Sequence, residues 1–178
     1  MWKRIDVIFS LRNPLHIGFL PSKGSVVSPT RYYVPGKNFW GAITKRTTEN
    51  LFKDPTGKDY QKMGEEIKNN FRFSYFYLYY TEIIYIPSYT DKGLMFGDKN
   101  QIDRLEFERK FVGSRVLTEI DRSSGTAKDK KLHEIEFIKD RYKDERGNIE
   151  KTRLIGCIWI KNICKLRGNN FLSFNFDI

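Results

Sequence analysis

Arg31-Tyr-Tyr-Val-Pro-Gly-Lys-Asn-Phe-Trp-Gly-Ala-Ile43 is the stretch on which the fold turns. Pro35-Gly36 makes a tight turn, and Phe39, Trp40, Ile43, Thr47 and Leu51 then recur at helical spacing. Lys45, Arg46 and Glu49 occupy the rest of the cylinder, so the pattern predicts an amphipathic helix over 38–52. Asp54-Pro-Thr-Gly57 stops it, and Tyr60, Met63 and Ile67 predict a second helix over 59–69.

Upstream, Ile5, Val7, Phe9 and Leu11 alternate with Asp6, Ser10 and Arg12, interrupted only by Ile8. This is a strand with one buried face, and Pro14 ends it because proline cannot donate to a ladder. Pro21, Gly24, Pro29 and several serines make 20–31 a loop, within which Val26-Val27 reads as a short edge strand or an exposed contact.

Downstream, Phe71, Phe73, Tyr75, Tyr77 and Tyr79 alternate with Phe76, Leu78 and Tyr80, as in a strand buried on both sides. Thr81-Glu82 turns it into a strand at 83–86. Residues 87–101 read as a loop carrying an apolar piece, Leu94-Met95-Phe96, suited to docking a partner. Strands follow at 115–120 and 132–138, joined by a polar, basic connection. Gly147-Asn148 marks a turn before a strand at 151–160, and 171–178 reads as a last strand. The order is β-α-α-β-β and then strands. It predicts an α+β fold: a single domain over 1–178 with a ferredoxin-like or RRM-like core, helices on an antiparallel sheet, and β-hairpin insertions.

Of the formal net charge of +10, residues 1–53 hold +7, from nine Lys/Arg against Asp6 and Glu49. A localised excess of this kind is the footprint of a protein that binds a polyanion. Free N–H groups at the helix start around Pro35–Asn38, with Lys37 beside them, suit a phosphate, and Asn38 can cap the helix or bond a phosphate or sugar. Tyr32 and Tyr33 offer stacking surfaces for unpaired bases or, equally, sheet packing. Arg12, Lys23, Arg31, Lys45 and Arg46 complete the basic neighbourhood. In the hairpin connection, Arg122, Lys128, Lys130 and Lys131 make a flexible thumb along an RNA strand, or a plain exposed loop.

His16 is one of two histidines; beside basic residues it is a candidate acid or base for cleavage through a 2′-hydroxyl, or a histidine bonded at a strand end. His133 fits packing or a rim contact. The carboxylate pairs Glu65-Glu66, Glu106/Glu108 and Glu134/Glu136 show no metal-site pattern, and Glu134/Glu136 read as the solvated face of a strand. There is no P-loop, dinucleotide fingerprint, zinc spacing or nucleophile elbow, so no cofactor and no metal is expected. Cys157 and Cys164 read as buried reduced thiols. No signal-peptide core opens the chain, and Arg72, Glu82 and Pro87 interrupt the run 71–89, so a soluble cytoplasmic protein away from membranes is expected.

Three segments are similar to the RAMP superfamily of CRISPR-associated proteins in type III effector complexes. Pro14-Leu-His-Ile-Gly18 resembles that family's strand end. Tyr33-Val-Pro-Gly-Lys-Asn-Phe-Trp-Gly-Ala-Ile-Thr44 resembles its helix entry. Ile120-Asp-Arg-Ser-Ser-Gly-Thr-Ala127 with Leu132-His-Glu-Ile-Glu-Phe-Ile138 resembles its hairpin. The first two are most like type III-D members. The resemblance implies an RRM-like core and antiviral RNA-guided work: binding single-stranded CRISPR RNA among other effector subunits or, in a backbone role, target RNA. Two features depart from the family. Arg167-Gly168-Asn-Asn170 is all there is of a glycine-rich loop, and 20–33 lacks the acid that slicing subunits use there. The expected role is therefore a non-catalytic RNA-binding subunit; the enzyme alternative is a metal-independent CRISPR RNA-processing endoribonuclease using His16.

Overall fold

The computed structural model describes residues 1–19, 26–99, 101–118, 120, 123–124, 126, 133–144 and 146–161. The chain falls into two compact units. One comprises 1–9, 34–77 and 155 onward; the other comprises 10–33 and 78–154.

The first unit carries the core of an α+β fold. Strand β1 (Trp2–Ser10) leads through the chain to β3 (Tyr33–Val34), helix α1 (Gly36–Leu51), helix α2 (Gly57–Asn70), β4 (Phe71–Phe73) and β5 (Phe76–Tyr80). Strand β14 (Arg153–Lys161) inserts between β1 and β5, giving the sheet order β1-β14-β5-β3, with β4 also paired to β14. A first strand separated by a later one from the strand that follows the helix is the ferredoxin-like, RRM-like arrangement.

Its core is aromatic. The Phe39 ring lies 4.1 Å from Phe76 and 5.2 Å from Phe9, centroid to centroid. Each such pair adds about 0.5–1.5 kcal/mol beyond the area it buries. Phe76 fits because β14 has no side chain opposite it: a Cβ on Gly156 would sit 2.7 Å from that ring. Helix α1 buries Phe39, Ile43 and Thr47, as its periodicity requires, whereas Leu51 is exposed. Trp40 donates its indole N–H to the Gly64 carbonyl at 2.9 Å, and Gly64 leaves room for its ring. Helix α2 is capped at its start by Asp59, which accepts both the N–H and the hydroxyl of Thr56.

Two sequence expectations need correction in this unit. The run 71–80 is not one strand: it breaks at Ser74-Tyr75, where the Ser74 hydroxyl accepts the Cys157 N–H at 2.7 Å and pins the break to β14. Cys157 is half-buried rather than buried, and its thiol donates to Asp6 at 3.0 Å. Cys164, Arg167–Asn170 and the strand expected at 171–178 lie outside the described residues.

The second unit is built from short pieces. β2 (Val27–Ser28) pairs in parallel with β11 (His133–Ile138), which pairs antiparallel with β10 (Val112–Leu117). The end of β5 turns through Thr81 and Glu82, both at positive φ, into β6 (Ile83–Ile84). The loop expected at 87–101 is corrected at residues 87–96. They form the hairpin β7 (Pro87–Thr90) and β8 (Gly93–Phe96), with Gly93 at φ +95° in the turn. β9 (Ile102–Asp103) then leads into helix α3 (Arg104–Phe111), which the sequence reading left unassigned. Its signal was present: Asp103 accepts the Glu106 N–H at 2.7 Å as an N-cap, and Phe107 and Phe111 repeat at four residues.

Phe96 is 0% exposed and stacks on Phe107 at 4.0 Å, so it is core and not a docking piece. Alternation along β8 turns it inward. Phe107, Phe111, Tyr85 and Tyr142 extend the aromatic cluster. β12 (Arg141–Lys143) and β13 (Ile149–Lys151) form a hairpin whose turn uses Gly147 at φ +82°. No described helix is long and apolar enough to cross a membrane.

Candidate nucleic-acid interface

In the second unit, segments far apart in sequence converge. Leu15 bridges to Ile138, Gly18 bridges to Thr30, and Arg31 donates its N–H to the Ile17 carbonyl at 2.8 Å. The Glu134 N–H donates to the Val26 carbonyl at 2.9 Å. Residues 13–19, 26–31 and β11 therefore lie side by side.

Polar side chains fasten this junction. His16 donates Nδ1–H to the Glu136 carbonyl at 2.7 Å. That bond selects the Nδ1–H tautomer and leaves Nε2 as the acceptor of an exposed ring. Thr30 is 5% exposed; its hydroxyl accepts the Ile17 N–H at 3.1 Å, and its own N–H donates to the Glu136 carboxylate at 3.2 Å. The expectation that Glu134/Glu136 form a solvated strand face is thus corrected for Glu136, which is half-buried and holds the Thr30 backbone.

Arg31 is half-buried. Its guanidinium lies 5.0 Å from the centre of the Phe19 ring and donates to the Tyr33 hydroxyl at 3.4 Å. Arg12 is exposed. Tyr32 faces the aromatic core, with its ring edge-on to Phe107 at 5.3 Å and Phe96 at 5.4 Å. Its hydroxyl donates to Glu108, which also takes Arg104 at 2.7 Å. Burial, and then the bond to Glu108, push the Tyr32 hydroxyl up to about 12.

The helix entry belongs to the first unit. Here the cap is Pro35, not Asn38, and no side chain bonds the first turn. The turn itself is buried. A Cβ on Gly36 would lie 2.5 Å from the Phe73 carbonyl oxygen, so only glycine permits this approach. Lys37 and Asn38 follow it onto the exposed side, and no acidic residue stands in the first turn. Lys45 and Arg46 are exposed about two turns on, Lys45 with Glu49 at 3.9 Å. Lys23, Arg122, Lys128, Lys130 and Lys131 lie outside the described residues.

The structure thus brings His16, Arg31 and Tyr33 to one junction, and places Lys37, Asn38, Lys45 and Arg46 on one helix. The junction's organisers, Thr30 and Glu136, escaped the sequence reading. Their bonds span 106 and 120 residues, and no local pattern announces them. Among the described residues, no three His, Cys, Asp or Glu side chains cluster as metal ligands would.

No family model matches the chain, and no curated protein matches its sequence. Among solved structures, a chain of a type III-B Cmr-beta complex, determined by cryo-EM bound to cognate target RNA and AMPPnP, aligns at 15% identity with a TM-score of 0.49. The alignment covers 93% of this chain and 56% of that one, so this chain spans little more than half of the solved chain's length.

Proposed function

We propose that this chain is a non-catalytic RNA-binding subunit of a type III CRISPR effector complex. The observation that carries the reading is the junction. Pro14–Gly18 and Leu132–Ile138, two of the segments that resemble the RAMP superfamily, meet through the Leu15–Ile138 bridge and the His16–Glu136 bond. They do so beside Arg12 and Arg31, in the part of the chain that holds +7 of the net +10. A backbone-anchored ridge flanked by guanidinium groups suits the phosphates of single-stranded guide RNA. Lys37, Asn38, Lys45 and Arg46, with Lys23 and the 122–131 connection, would add phosphate contacts. Such contacts set register and make binding salt-dependent and tolerant of sequence.

Filter binding of single-stranded RNA at two salt concentrations tests this. Tight binding at low salt, weakened by Arg12→Gln with Arg31→Gln, is expected. No affinity at low salt sinks the reading for the isolated chain. Recovery from the source cell with a small RNA and partner subunits would tie it to an effector complex.

The endoribonuclease alternative draws on one feature: the Nδ1 bond that leaves Nε2 of an exposed His16 as a proton acceptor. It predicts metal-independent cleavage of repeat RNA, abolished by His16→Ala. Intact RNA after incubation with the wild type rejects it.

A further inference from the structure

Away from the junction, the second unit contains a cleft of about 620 Å³ between the end of α3 and the β12–β13 hairpin. Five cationic side chains line it, from Arg109, Lys110, Lys139, Arg141 and Lys143, against the carboxylates of Glu106 and Asp144.

Part of this charge has a structural duty. Lys139 donates to the Arg109 carbonyl at 2.8 Å and the Lys110 carbonyl at 3.4 Å, closing the C-terminal end of α3. Lys110 sits over the rings of Tyr80 at 5.1 Å and Tyr142 at 5.6 Å. The rest does not. Arg109 and Lys143 are exposed, and among the described residues neither has an ion-pair partner. Among the described residues, the exposed Arg141 has only its half-buried neighbour Asp140, at 3.7 Å. Asp144 is occupied by the turn, accepting the N–H groups of Arg146 at 2.9 Å and Asn148 at 2.7 Å.

The positive charge is not explained by the helix dipole alone, because Arg141 and Lys143 belong to a strand. Two residues apart, they share its exposed face and so act together. Beside them the wall is apolar. Ile149, the cross-strand partner of Lys143, is 67% exposed. Tyr142, between Arg141 and Lys143, points to the opposite, buried face, 4% exposed and packed on Phe111, and forms the floor behind the strand. Guanidinium and ammonium groups at a rim, next to an exposed aliphatic side chain in a cleft of this size, match a phosphate with a nucleoside attached.

We propose that this cleft is a second ligand site, which takes a nucleotide unit. Arg109, Arg141 and Lys143 hold the phosphate, and the base rests against the exposed Ile149 side chain. The site does not depend on the RNA role of the 13–31 junction. The shared chemistry belongs both to a free nucleotide and to one unit of an RNA strand.

The test uses the full chain with two probes, adenosine 5′-monophosphate and octauridylate. Amide resonances at 109–110 and 139–144 should shift with at least one of them. Arg109→Gln with Lys143→Gln, both at exposed positions, should weaken that probe about tenfold while urea unfolding stays unchanged. A tenfold loss for the monophosphate assigns a free nucleotide; a loss for octauridylate alone assigns a strand. Unchanged affinity for both probes, or no binding of either, overturns the proposal. Octauridylate binding that survives this pair but falls with Arg12→Gln and Arg31→Gln leaves the junction standing and removes the cleft.

Discussion

The two units hold themselves together in different ways. In the first, Phe9, Phe39 and Phe76 interlock beneath α1, and the cations Lys37, Lys45 and Arg46 stand on the helix's outer side. In the second, an aromatic cluster around Phe107 supports short strands. Its basic ridge is fastened by directional bonds: Ile17 to Thr30, Thr30 to Glu136, His16 to Glu136. Apolar packing is non-directional and tolerates small displacement. A hydrogen-bonded junction has one geometry or none.

That contrast can be broken most forcefully at Phe76. Phe76→Ala should cost about 3–5 kcal/mol in urea denaturation, because the ring is fully buried and its cavity cannot collapse. A loss below 1 kcal/mol would mean that the aromatic triad is not the support of the sheet. Gly36→Ala should follow at about 1–3 kcal/mol, since the added methyl meets the Phe73 carbonyl and overpacks the helix entry.

The junction is probed at Thr30. Thr30→Val keeps the shape but leaves the buried Ile17 N–H without its acceptor, at a cost of about 1–3 kcal/mol. RNA affinity should fall with it, whereas Thr30→Ser, which retains the hydroxyl, should restore affinity. Equal affinity for the valine variant and the wild type would detach the ridge from RNA binding. A finer measurement is the salt dependence: replacing Arg31 by Gln should reduce the slope of log K against log salt by about 0.7, the value of one phosphate contact to a single strand.

The smallest effect is alkaline. The Tyr32 hydroxyl stands at about 12 in the folded chain against 10.0 when unfolded. Between those values the unfolded chain has released a proton that the folded chain keeps. Stability therefore falls as pH rises through the window. Tyr32→Phe should flatten part of that fall in denaturation at pH 9 and pH 11. Burial raises Tyr142 in the same direction, so some of the fall will remain. An identical slope in the variant would show Tyr32 to be solvated.

The sequence by itself determined the first strand, the helical periodicity behind Pro35-Gly36, the second helix and the return strand of the hairpin near 132–138; the partner strand, expected at 115–120, runs instead from Val112 to Leu117. Those features are local: each apolar stripe matches a period of two or 3.6 residues and implies its own burial. It also placed most of the net charge in the first 53 residues, since charge needs no fold to be counted. Tertiary structure decided what no window could contain. It turned Phe96 from a docking piece into core, and Tyr32 toward Glu108. It made Glu136 the anchor of Thr30, and gathered Arg109, Arg141 and Lys143 around one cleft. For Tyr32, Glu136 and Arg109 the partner lies tens of residues away, and for Phe96 it lies across a turn and a new helix; the deciding energy is the burial or hydrogen bond that forms only once the two meet.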